Sequence, residues 1–260
     1  MLIRADYHFH SDYSDGEFSP AGLVQRCQRL GLEGASLTDH DGFAGSLLFL
    51  EEAAKLCSPN IKAVLGMELS ASYGGSEIHI LGYGFDKDCP DILKFCREVA
   101  AERLERADYM ALKLSGFGFT VDRSRLDDAK GTVGRAHVAR AVTNADDSYA
   151  IMREYLCEGG SCHPGLYKTE AARAVETVRR AGGIAVLAHP SRIRCGAAAL
   201  LPALAEAGLG GIEYFYPGQD TAFWKTVDPF VEKYGLLRTG GSDMHCREPE
   251  HSFLSECICV

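Results

Sequence analysis

The sequence predicts an α/β protein with a parallel sheet or barrel that is interrupted by a helical insertion. Apolar strand patterns alternate with amphipathic helix patterns at both ends of the chain, which is typical of parallel sheets. The segment between them, residues 89–168, contains helix patterns without a strand signal of comparable strength. Side chains that can bind metal follow several predicted strands, as expected where the carboxyl ends of strands form an active site.

The first predicted strand and its loop carry two histidines at alternate positions. Side chains alternate faces along an extended segment, so His8 and His10 point the same way and can bind one cation. Asp15 follows on a loop that Ser14 and Gly16 make flexible. A His-x-His pair alone also fits a polar strand end with surface histidines, because this spacing is frequent by chance. The metal interpretation therefore depends on the other strands.

Three further candidate ligands lie before the insertion. The elements predicted there are a helix over residues 19–31, a strand over 34–38, a helix over 43–57, a strand over 61–65 and a strand over 77–84. Ser19 suits the N-cap of the first helix, which Gly31 ends. The strands lead to His40 and Glu68 and contain His79. A histidine between two isoleucines is often a core residue, but the neighbouring Glu68 makes a ligand role for His79 competitive.

The insertion contains a candidate anion site. Helices are predicted over residues 92–114, 135–142 and 147–156. Arg135 and His137 begin the second of these helices, after Gly131 and Gly134. Backbone N–H groups and a guanidinium at a helix N-terminus suit a phosphate. A solvated helix start is the alternative interpretation.

The alternation of strands and helices resumes after the insertion. The predicted elements are a helix over residues 169–180, a strand over 184–188, a helix over 197–207, a strand over 211–215, a helix over 220–234, a strand over 236–239 and a closing strand over 257–260. His189 follows the first of these strands, and Glu213 lies within the second. Asp243 and His245 repeat the alternate spacing of His8 and His10.

Composition and charge exclude several classes of protein. The formal net charge of −9 argues against a protein that coats DNA, RNA or an anionic membrane, although a small phosphorylated substrate remains compatible with it. No apolar run is long enough to span a bilayer, and the first residues do not resemble a signal peptide. The ten cysteines are scattered without a Cys-x-x-Cys pair. We therefore expect reduced thiols and a cytoplasmic location, and the sequence leaves the oligomeric state open.

Nine nitrogen and oxygen donors lie at or near predicted strand ends. They are His8, His10, Asp15, His40, Glu68, His79, His189, Asp243 and His245. This number exceeds what one or two open metal sites need, and it fits three ions with a carboxylate such as Glu68 bridging two of them. Imidazole and carboxylate donors without thiolate favour Zn²⁺, Mn²⁺ or Fe²⁺ over Mg²⁺ or Ca²⁺, and the sequence does not rank these three.

Together these residues form motifs that resemble those of the PHP family, named for polymerase and histidinol phosphatase domains. The motifs are His8-x-His10 with Ser14-Asp15-Gly16, Thr38-Asp39-His40-Asp41, Gly66-Met67-Glu68, His79-Ile80-Leu81-Gly82, Ala188-His189-Pro190 and Gly241-Ser242-Asp243-x-His245. The resemblance extends over nearly the whole chain. Within the family the chain most resembles the branch that hydrolyses nucleoside 3′,5′-bisphosphates and trims RNA from its 5′ end, which has a Gly-Arg-x-His-x-Ala-Arg element like residues 134–140.

The resemblance implies a distorted (β/α)₇ barrel with a trinuclear metal centre. We predict that residues 1–88 and 169–260 form the barrel and that residues 89–168 form a helical cap over the substrate. By motif, the first ion would be held by His8, His10, Glu68 and Asp243. The second would be held by Glu68, His79 and His189, and the third by Asp15, His40 and His245.

The implied activity is hydrolysis of a phosphate ester by a metal-bound hydroxide that bridges ions. Catalytic roles are assigned to Asp15, His40, Glu68 and Asp243. The expected substrate is a small nucleotide or ribose phosphate, such as a nucleoside 3′,5′-bisphosphate or a short 5′-phosphorylated RNA. The first alternative is a phosphodiesterase of a small cyclic ribose phosphate, of the 5-phosphoribosyl 1,2-cyclic phosphate type. Histidinol phosphatase, amide or sugar hydrolase, and a non-catalytic metal-stabilised module are weaker alternatives.

The substrate contacts are less well specified than the metal ligands. Arg135, Arg192 and His163 are the expected substrate-binding residues. Residues 159–164, Gly-Gly-Ser-Cys-His-Pro, replace an aromatic residue that the resemblance leads us to expect. Candidates for the acid that protonates the leaving group are Asp39, Asp41 and His163, and a metal-bound water is a further candidate.

Overall fold

The protein has a mixed α/β fold with two sheets. The computed structural model describes residues 4–56 and 61–246. Its strands are β1 (Ala5–Phe9), β2 (Gly34–Leu37), β3 (Lys62–Ala63), β4 (Gly66–Tyr73), β5 (Ser76–Tyr83), β6 (Ile184–Leu187), β7 (Gly211–Phe215) and β8 (Leu237–Gly240). One sheet has the order β1-β2-β3, and the other has the order β4-β5-β6-β7-β8.

The predicted helices form within a few residues of their expected ends, and one short helix, over residues 124–127, was not predicted. The helices are α1 (Pro20–Arg29), α2 (Ala44–Ala54), α3 (Pro90–Gly116), α4 (Ser124–Asp127), α5 (Arg135–Arg140), α6 (Ser148–Ile151), α7 (Ala171–Arg180), α8 (Ala197–Glu206) and α9 (Thr221–Tyr234). A π-helical turn (Met152–Leu156) continues α6, and a 3₁₀ turn (Pro190–Arg192) follows β6. The predicted closing strand over residues 257–260 lies outside the described residues.

The expectation of a parallel sheet is confirmed for four strand pairs and is wrong for two. β1, β2 and β3 pair in parallel, as do β6, β7 and β8. However, β4 is antiparallel to β5, and β5 is antiparallel to β6. The β4–β5 hairpin turns at Gly74 and Gly75, whose φ angles of 55° and 79° suit glycine. As a result, Glu68 lies near the start of an eight-residue strand and not after a strand that ends at residue 65.

The two sheets approach each other at both edges. An isolated bridge joins His40, after β2, to Glu68 in β4, and a second joins Phe9 in β1 to Met244, after β8. At the second seam the N–H of Asp243 donates to the carbonyl of His8 at 2.7 Å. The strand pairing of residues 4–56 and 61–246 gives two sheets and no closed barrel, so the seven-stranded barrel stays a prediction.

Each sheet is covered by helices with one apolar face. Helix α7 buries Ala171, Ala174, Val175 and Val178, which is the i, i+3, i+4, i+7 spacing of an amphipathic helix. This face packs in the core of the five-stranded sheet, together with residues of α8 and α9. Helices α1 and α2 cover the smaller sheet in the same way. Because the apolar faces of the helices cover the sheets, the polar residues lie mainly at the ends of the strands.

A separate apolar cluster lies among the helices between β5 and α7. Its members come from the second half of α3, from α5 and from the segment up to Cys162. The first half of α3 packs instead on the larger sheet through Ile92, Phe95 and Val99. The 27-residue helix α3 therefore connects the two apolar regions. None of the described helices is long and apolar enough to cross a membrane.

Candidate metal centre

The nine predicted metal ligands all lie within the described residues, and the fold brings them together at one end of the strands. His8 and His10 come from the end of β1, and His40 follows β2. Glu68 and His79 are supplied by the β4–β5 hairpin. Asp15, His189, Asp243 and His245 lie on the loops after β1, β6 and β8. Residues that are up to 237 positions apart in sequence, as His8 and His245 are, thus share one site.

The first group of side chains surrounds the end of β1. The Nε2 atom of His8 lies 3.3 Å from Glu68 Oε1 and 3.3 Å from Asp243 Oδ1. The Nε2 atom of His10 lies 3.3 Å from Glu68 Oε2 and 3.2 Å from Asp243 Oδ1. Each of the four residues offers a ligand atom within 4.8 Å of the others. This group matches the four residues that the motifs assign to one ion.

The second group joins the hairpin to the loop after β6. Glu68 Oε1 lies 3.0 Å from His79 Nδ1 and 3.0 Å from His189 Nε2. The two imidazole nitrogens are 3.2 Å apart. Glu68 therefore faces the first group and the second group at once, as expected of a bridging carboxylate.

The third group lies on the outer side of His10. Asp15 Oδ1 is 3.3 Å from His245 Nε2, and Asp15 Oδ2 is 3.8 Å from His40 Nε2. The rings of His10 and His245 stack with their centroids 4.0 Å apart. His10, Asp15, His40 and His245 offer ligand atoms within 4.8 Å of one another. His10 is thus close enough to take part in two groups, which the motifs did not indicate.

The donor set fits divalent metal ions. Four buried atoms at the centre make no hydrogen bond of proper geometry with a described residue: Asp15 Oδ1, His40 Nδ1, Glu68 Oε2 and His189 Nδ1. Buried polar atoms normally make hydrogen bonds, so atoms that make none while lying among imidazoles and carboxylates fit the ligands of a cation. Imidazole and carboxylate together suit manganese, iron or zinc.

The charges of the centre shift the pKa values of its own members. Burial acts against ionisation, yet the nearby imidazoles His79, His8 and His40 hold the pKa of Glu68 well below its usual range. Burial likewise opposes protonation of His10, but Asp243 and Glu68 raise its pKa to about 10. For His40 burial dominates and lowers the pKa to about 4. The centre therefore combines ionised carboxylates with imidazoles whose pKa values are shifted in opposite directions, upward for His10 and downward for His40.

Glu213 is a buried carboxylate at the centre that the sequence did not assign. Its Oε1 atom lies 3.0 Å from His8 Nδ1, and its Oε2 atom accepts a hydrogen bond of 2.6 Å from the backbone N–H of His189. A hydrogen bond to Nδ1 directs Nε2 of His8 toward the group. The signal in the sequence was one charged residue in an otherwise apolar strand.

Arg192 lies beside Asp243, on the solvent side of the first group. Its Nη1 atom donates to Asp243 Oδ2 at 3.0 Å and to the hydroxyl of Tyr216 at 2.8 Å. Tyr216 itself donates to Asp243 Oδ2 at 3.0 Å. The side chain of Arg192 is 62% exposed and can reach an anion at the mouth of the centre. The sequence predicted Arg192 at this site but not its tyrosine partner.

Arg135 and His163 meet on the side of the centre where Glu77 contacts His79. Arg135 Nη1 lies 3.3 Å from His163 Nε2, and Arg135 Nη2 donates to Glu77 Oε1 at 3.0 Å. These residues adjoin a pocket that is also lined by Arg103, Arg106 and the ligands Asp15, His40 and His79. The pocket connects the predicted anion site with the predicted metal ligands. No sequence motif assigned a role to Glu77, Arg103 or Arg106.

The two aspartates beside His40 are engaged inside the protein. Asp39 accepts hydrogen bonds from Ser11 and Ser14. Asp41 accepts from the backbone of Ser70 and from Arg103, at 2.6 Å in both cases. Each is 1% exposed. These bonds engage both carboxyls inside the protein, which argues against Asp39 and Asp41 as the acid that protonates the leaving group.

Comparison with known proteins identifies related sequences of similar length. The chain is 32% identical to phosphoribosyl 1,2-cyclic phosphate 1,2-diphosphodiesterase of Eggerthella lenta, over 92% of this chain and 93% of that protein. It is 32% identical to a 5′-3′ exoribonuclease of Haemophilus influenzae, over 94% and 91% of the two chains. It is 30% identical to 3′,5′-nucleoside bisphosphate phosphatase of Chromobacterium violaceum, over 94% and 88%.

Solved structures have the same fold. A protein of Bifidobacterium adolescentis, described provisionally as a metal-dependent phosphoesterase, superposes with a TM-score of 0.84 and 26% identity, over 93% of this chain and 87% of that one. An amidohydrolase of Chromobacterium violaceum, solved with bound sulfate and no metal, gives a TM-score of 0.80 and 28% identity, over 94% and 88%. The family model of the PHP domain matches residues 6–156. The chain belongs to the PHP domain family.

Proposed function

We propose that this chain is a metal-dependent phosphoesterase of a small nucleotide or ribose phosphate. The observation that carries the proposal is a set of overlapping groups of imidazole and carboxylate, two of which contain the buried Glu68, beside a pocket lined by arginines. The names of the related proteins support phosphate-ester hydrolysis. The bound sulfate in the related amidohydrolase structure supports an anion site in this fold.

We assign three divalent ions, of manganese, iron or zinc, to the three groups of ligands. His8, His10, Glu68 and Asp243 would hold the first ion. The second would be held by Glu68, His79 and His189, and the third by Asp15, His40 and His245. When bound, such ions lower the pKa of a coordinated water and neutralise phosphoryl oxygens. The nearly complete burial of Glu68 and its five imidazole neighbours support its role as the shared ligand.

The remaining residues of the site bind and orient the substrate. Arg135 and His163 would hold an anionic group of the substrate in the pocket, and Arg192 would hold a second anion at the open side. Asp15 and Asp243 are catalytic residues together with His40 and Glu68, because their carboxylates border the space between these anion-binding groups. Burial and the neighbouring Arg135 lower the pKa of the half-buried His163, so its imidazole would contact the substrate as a neutral ring and not as the proton donor.

The closed barrel and the helical cap belong to the same proposal. The two single bridges between the sheets, at His40 and at Phe9, support a distorted barrel in which both seams are nearly joined. The separate apolar cluster of α3 to Cys162 supports a cap over residues 89–168, with residues 1–88 and 169–260 as the barrel. The pocket lies between these two parts, which is where a cap would cover a substrate.

The cyclic ribose phosphate remains the second candidate substrate, and one observation favours it. Tyr167, the tyrosine that lines the pocket, is 7% exposed, and the guanidinium of Arg106 lies 3.8 Å from the centre of its ring. Its face is thus covered and does not offer a stacking surface for a nucleobase. A substrate without a base needs no such surface.

A matched panel of substrates tests the proposal. The manganese-loaded protein would be given a nucleoside 3′,5′-bisphosphate, a mononucleotide, a short 5′-phosphorylated RNA and a ribose 1,2-cyclic phosphate, and product formation would be measured for each. Preference for the bisphosphate or the RNA would establish the nucleotide function. Turnover of the cyclic ester alone would establish the alternative, and no turnover of any ester would refute the proposal.

A further inference from the structure

Glu77 is a partly buried carboxylate between a predicted metal ligand and a predicted substrate contact. It is the second residue of β5, two positions before His79, and its side chain is 15% exposed. Its Oε1 atom lies 3.2 Å from His79 Nε2 and 3.0 Å from Arg135 Nη2. One oxygen atom thus serves two partners that have different predicted roles.

The contact with His79 defines how the imidazole is presented to the centre. When Nε2–H donates to Glu77, the lone pair of Nδ1 is free for a cation. That Nδ1 atom is the one that lies 3.0 Å from Glu68 and 3.2 Å from His189. A carboxylate on the outer nitrogen of a ligand histidine fixes its ring and its tautomer.

The contact with Arg135 fixes the guanidinium at the edge of the same centre. A free arginine side chain samples many rotamers, which costs entropy when it must bind in one of them. Glu77 holds one Nη atom, and the other Nη atom lies 3.3 Å from His163. The second carboxylate oxygen of Glu77 is buried, makes no hydrogen bond with a described residue and lies 3.8 Å from Arg106 Nη2. The carboxylate therefore also balances the charge of two arginines in the pocket.

We propose that Glu77 is a positioning residue that sets His79 for metal binding and Arg135 for substrate binding at the same time. The Arg135 half of this proposal rests on the proposed phosphoesterase function, whereas the His79 half requires only that the centre binds a divalent ion. Neutralising Glu77 then weakens the binding of one ion and of one class of substrate. The binding of the other ions and of a minimal substrate is nearly unaffected.

The first experiment measures metal binding without turnover. Manganese would be titrated into the metal-free Glu77→Gln protein and followed by calorimetry and by electron paramagnetic resonance. We expect one ion to bind about 10- to 100-fold more weakly, the effect typical of losing a partner of a ligand histidine. His79→Ala with Glu77→Gln should lose no more affinity than His79→Ala alone. Glu158→Gln is the matched control, because Glu158 pairs with Arg194 at 2.7 Å outside the centre.

The second experiment separates KM from kcat. Glu77→Gln should raise KM about tenfold for a nucleoside 3′,5′-bisphosphate and less than about twofold for an aryl phosphate, since the aryl ester has no second anion to reach Arg135. With saturating metal, kcat should fall less than KM rises. In the Arg135→Ala background the same change should raise KM no further, because its partner is already absent.

Three results would overturn the proposal. If folded Glu77→Gln bound manganese as tightly as the wild type, the His79 half would be wrong. If Glu77→Gln raised KM further in the Arg135→Ala background, the Arg135 half would be wrong. Absence of turnover by the wild type would refute the phosphoesterase function and the Arg135 half with it, while the manganese titration would still decide the His79 half. If Glu77→Gln did not fold, Arg135→Ala would serve instead: the proposal expects a higher KM with manganese affinity within about twofold of wild type, and a tenfold loss of affinity would contradict it.

Discussion

At the scale of single residues, backbone strain coincides with the metal centre. Among the described residues, Asp41, His189 and Asp243 are the non-glycine residues with positive φ, at 53°, 26° and 54°. Such conformations are costly and persist where surrounding contacts hold them. The N–H of His189 is held by Glu213, and the N–H of Asp243 by the carbonyl of His8. Two predicted ligands are therefore fixed through their main chain before a metal binds.

The shared position of Glu68 leads to a prediction about metal stoichiometry. Glu68→Ala should lose at least two ions, because this carboxylate borders all three groups through His8, His79 and His40. His245→Ala should lose one, because His245 is a predicted ligand of the third ion alone. Elemental analysis after dialysis against manganese measures both, and turnover should fall at least 100-fold in Glu68→Ala.

Arg194→Ala serves as the control for this comparison, since Arg194 pairs with Glu158 on the surface. Its metal content should equal that of the wild type. Equal losses in Glu68→Ala and His245→Ala would contradict the assignment of Glu68 as the shared ligand.

Metal binding should release protons near neutral pH. In the metal-free protein, carboxylates outweigh burial and raise the pKa of His10 to about 10 and that of His79 to about 9. Both imidazoles are therefore protonated on both nitrogens at pH 7, and a cation must displace one of these protons from each ring. We expect manganese affinity to rise with pH up to about pH 9. Calorimetry at pH 7 in two buffers of different ionisation enthalpy would show the release, and identical heats in both buffers would contradict it.

The same pKa shifts determine how the metal-free protein responds to pH. A folded-state pKa above the unfolded value of 6.5 contributes stability that is complete below pH 6.5. That contribution is lost as pH rises through about 9 to 10. The free energy of unfolding of the metal-free protein should accordingly fall over this pH range, and it should fall more than that of the metal-loaded protein.

Single residues also show how far the sequence alone could predict the site. Histidines and carboxylates at strand ends repeat a regular spacing, so the nine residues that converge could be named beforehand. Glu77 stands two positions before His79, the same spacing as His8 and His10, and this signal was missed, whereas Glu213 is a single acid in an otherwise apolar strand. Their partners, Arg135 and His8, are 58 and 205 positions away. Such contacts depend on the tertiary fold.

At the scale of elements, one guanidinium joins the long helix α3 to the strand ends. Arg103 donates through Nε to Asp41 at 2.6 Å, through Nη2 to Ser70 Oγ at 2.9 Å and through Nη1 to the carbonyl of Val133 at 3.2 Å. Arg103 is 6% exposed and Asp41 1%. The loop before α5 is thereby anchored beside β4 and the loop after β2.

Breaking this buried pair should destabilise the whole fold. Arg103→Leu leaves Asp41 charged and buried, which costs about 3–5 kcal/mol in comparable cases. Urea unfolding of the metal-free protein measures the change, and adding Asp41→Asn should recover part of it. Arg194→Ala removes an exposed partner and should leave the unfolding midpoint unchanged. If the unfolding midpoint of Arg103→Leu also equalled that of the wild type, the pair would not anchor α3.

The elements themselves were predictable where periodicity was strong. Helix α7 and the strands β6 to β8 have clear apolar patterns with glycine at their ends, and they form where expected. The β4–β5 hairpin was missed in its first half because Ser70, Ala71 and Ser72 are small and buried. Small side chains give a weak hydrophobic signal although they pack closely. The direction of pairing was not predictable either, since it depends on the turn at Gly74 and Gly75.

At the scale of the whole molecule, the candidate centre connects the two sheets. His8, His10 and His40 come from the smaller sheet and its loops, whereas Glu68, His79 and His189 come from the larger sheet. Ions bound between them would join two separately hydrogen-bonded units. Ligands that bind only the folded state raise its stability by mass action.

Metal removal should therefore lower the melting temperature. At manganese 100 times above its dissociation constant, each independent ion would add about 2.7 kcal/mol to the free energy of unfolding. Thermal melts with chelator and with increasing manganese would measure the shift. His245→Ala should retain most of the shift and Glu68→Ala little of it. A melting temperature that does not respond to manganese in the wild type would argue against ions that link the sheets.

The stacking of His10 on His245, rings from opposite ends of the described chain, has a consequence for biosynthesis. The third group of ligands cannot assemble until residue 245 has left the ribosome, so an ion proposed for this group could enter only after the strands between have been made. Contacts of such long sequence separation also form slowly. In the finished protein, a protease cut in an exposed loop of the helical segment would leave two fragments that still share the β5–β6 pairing and the core of the larger sheet, so they should stay together, and bound ions should strengthen their association.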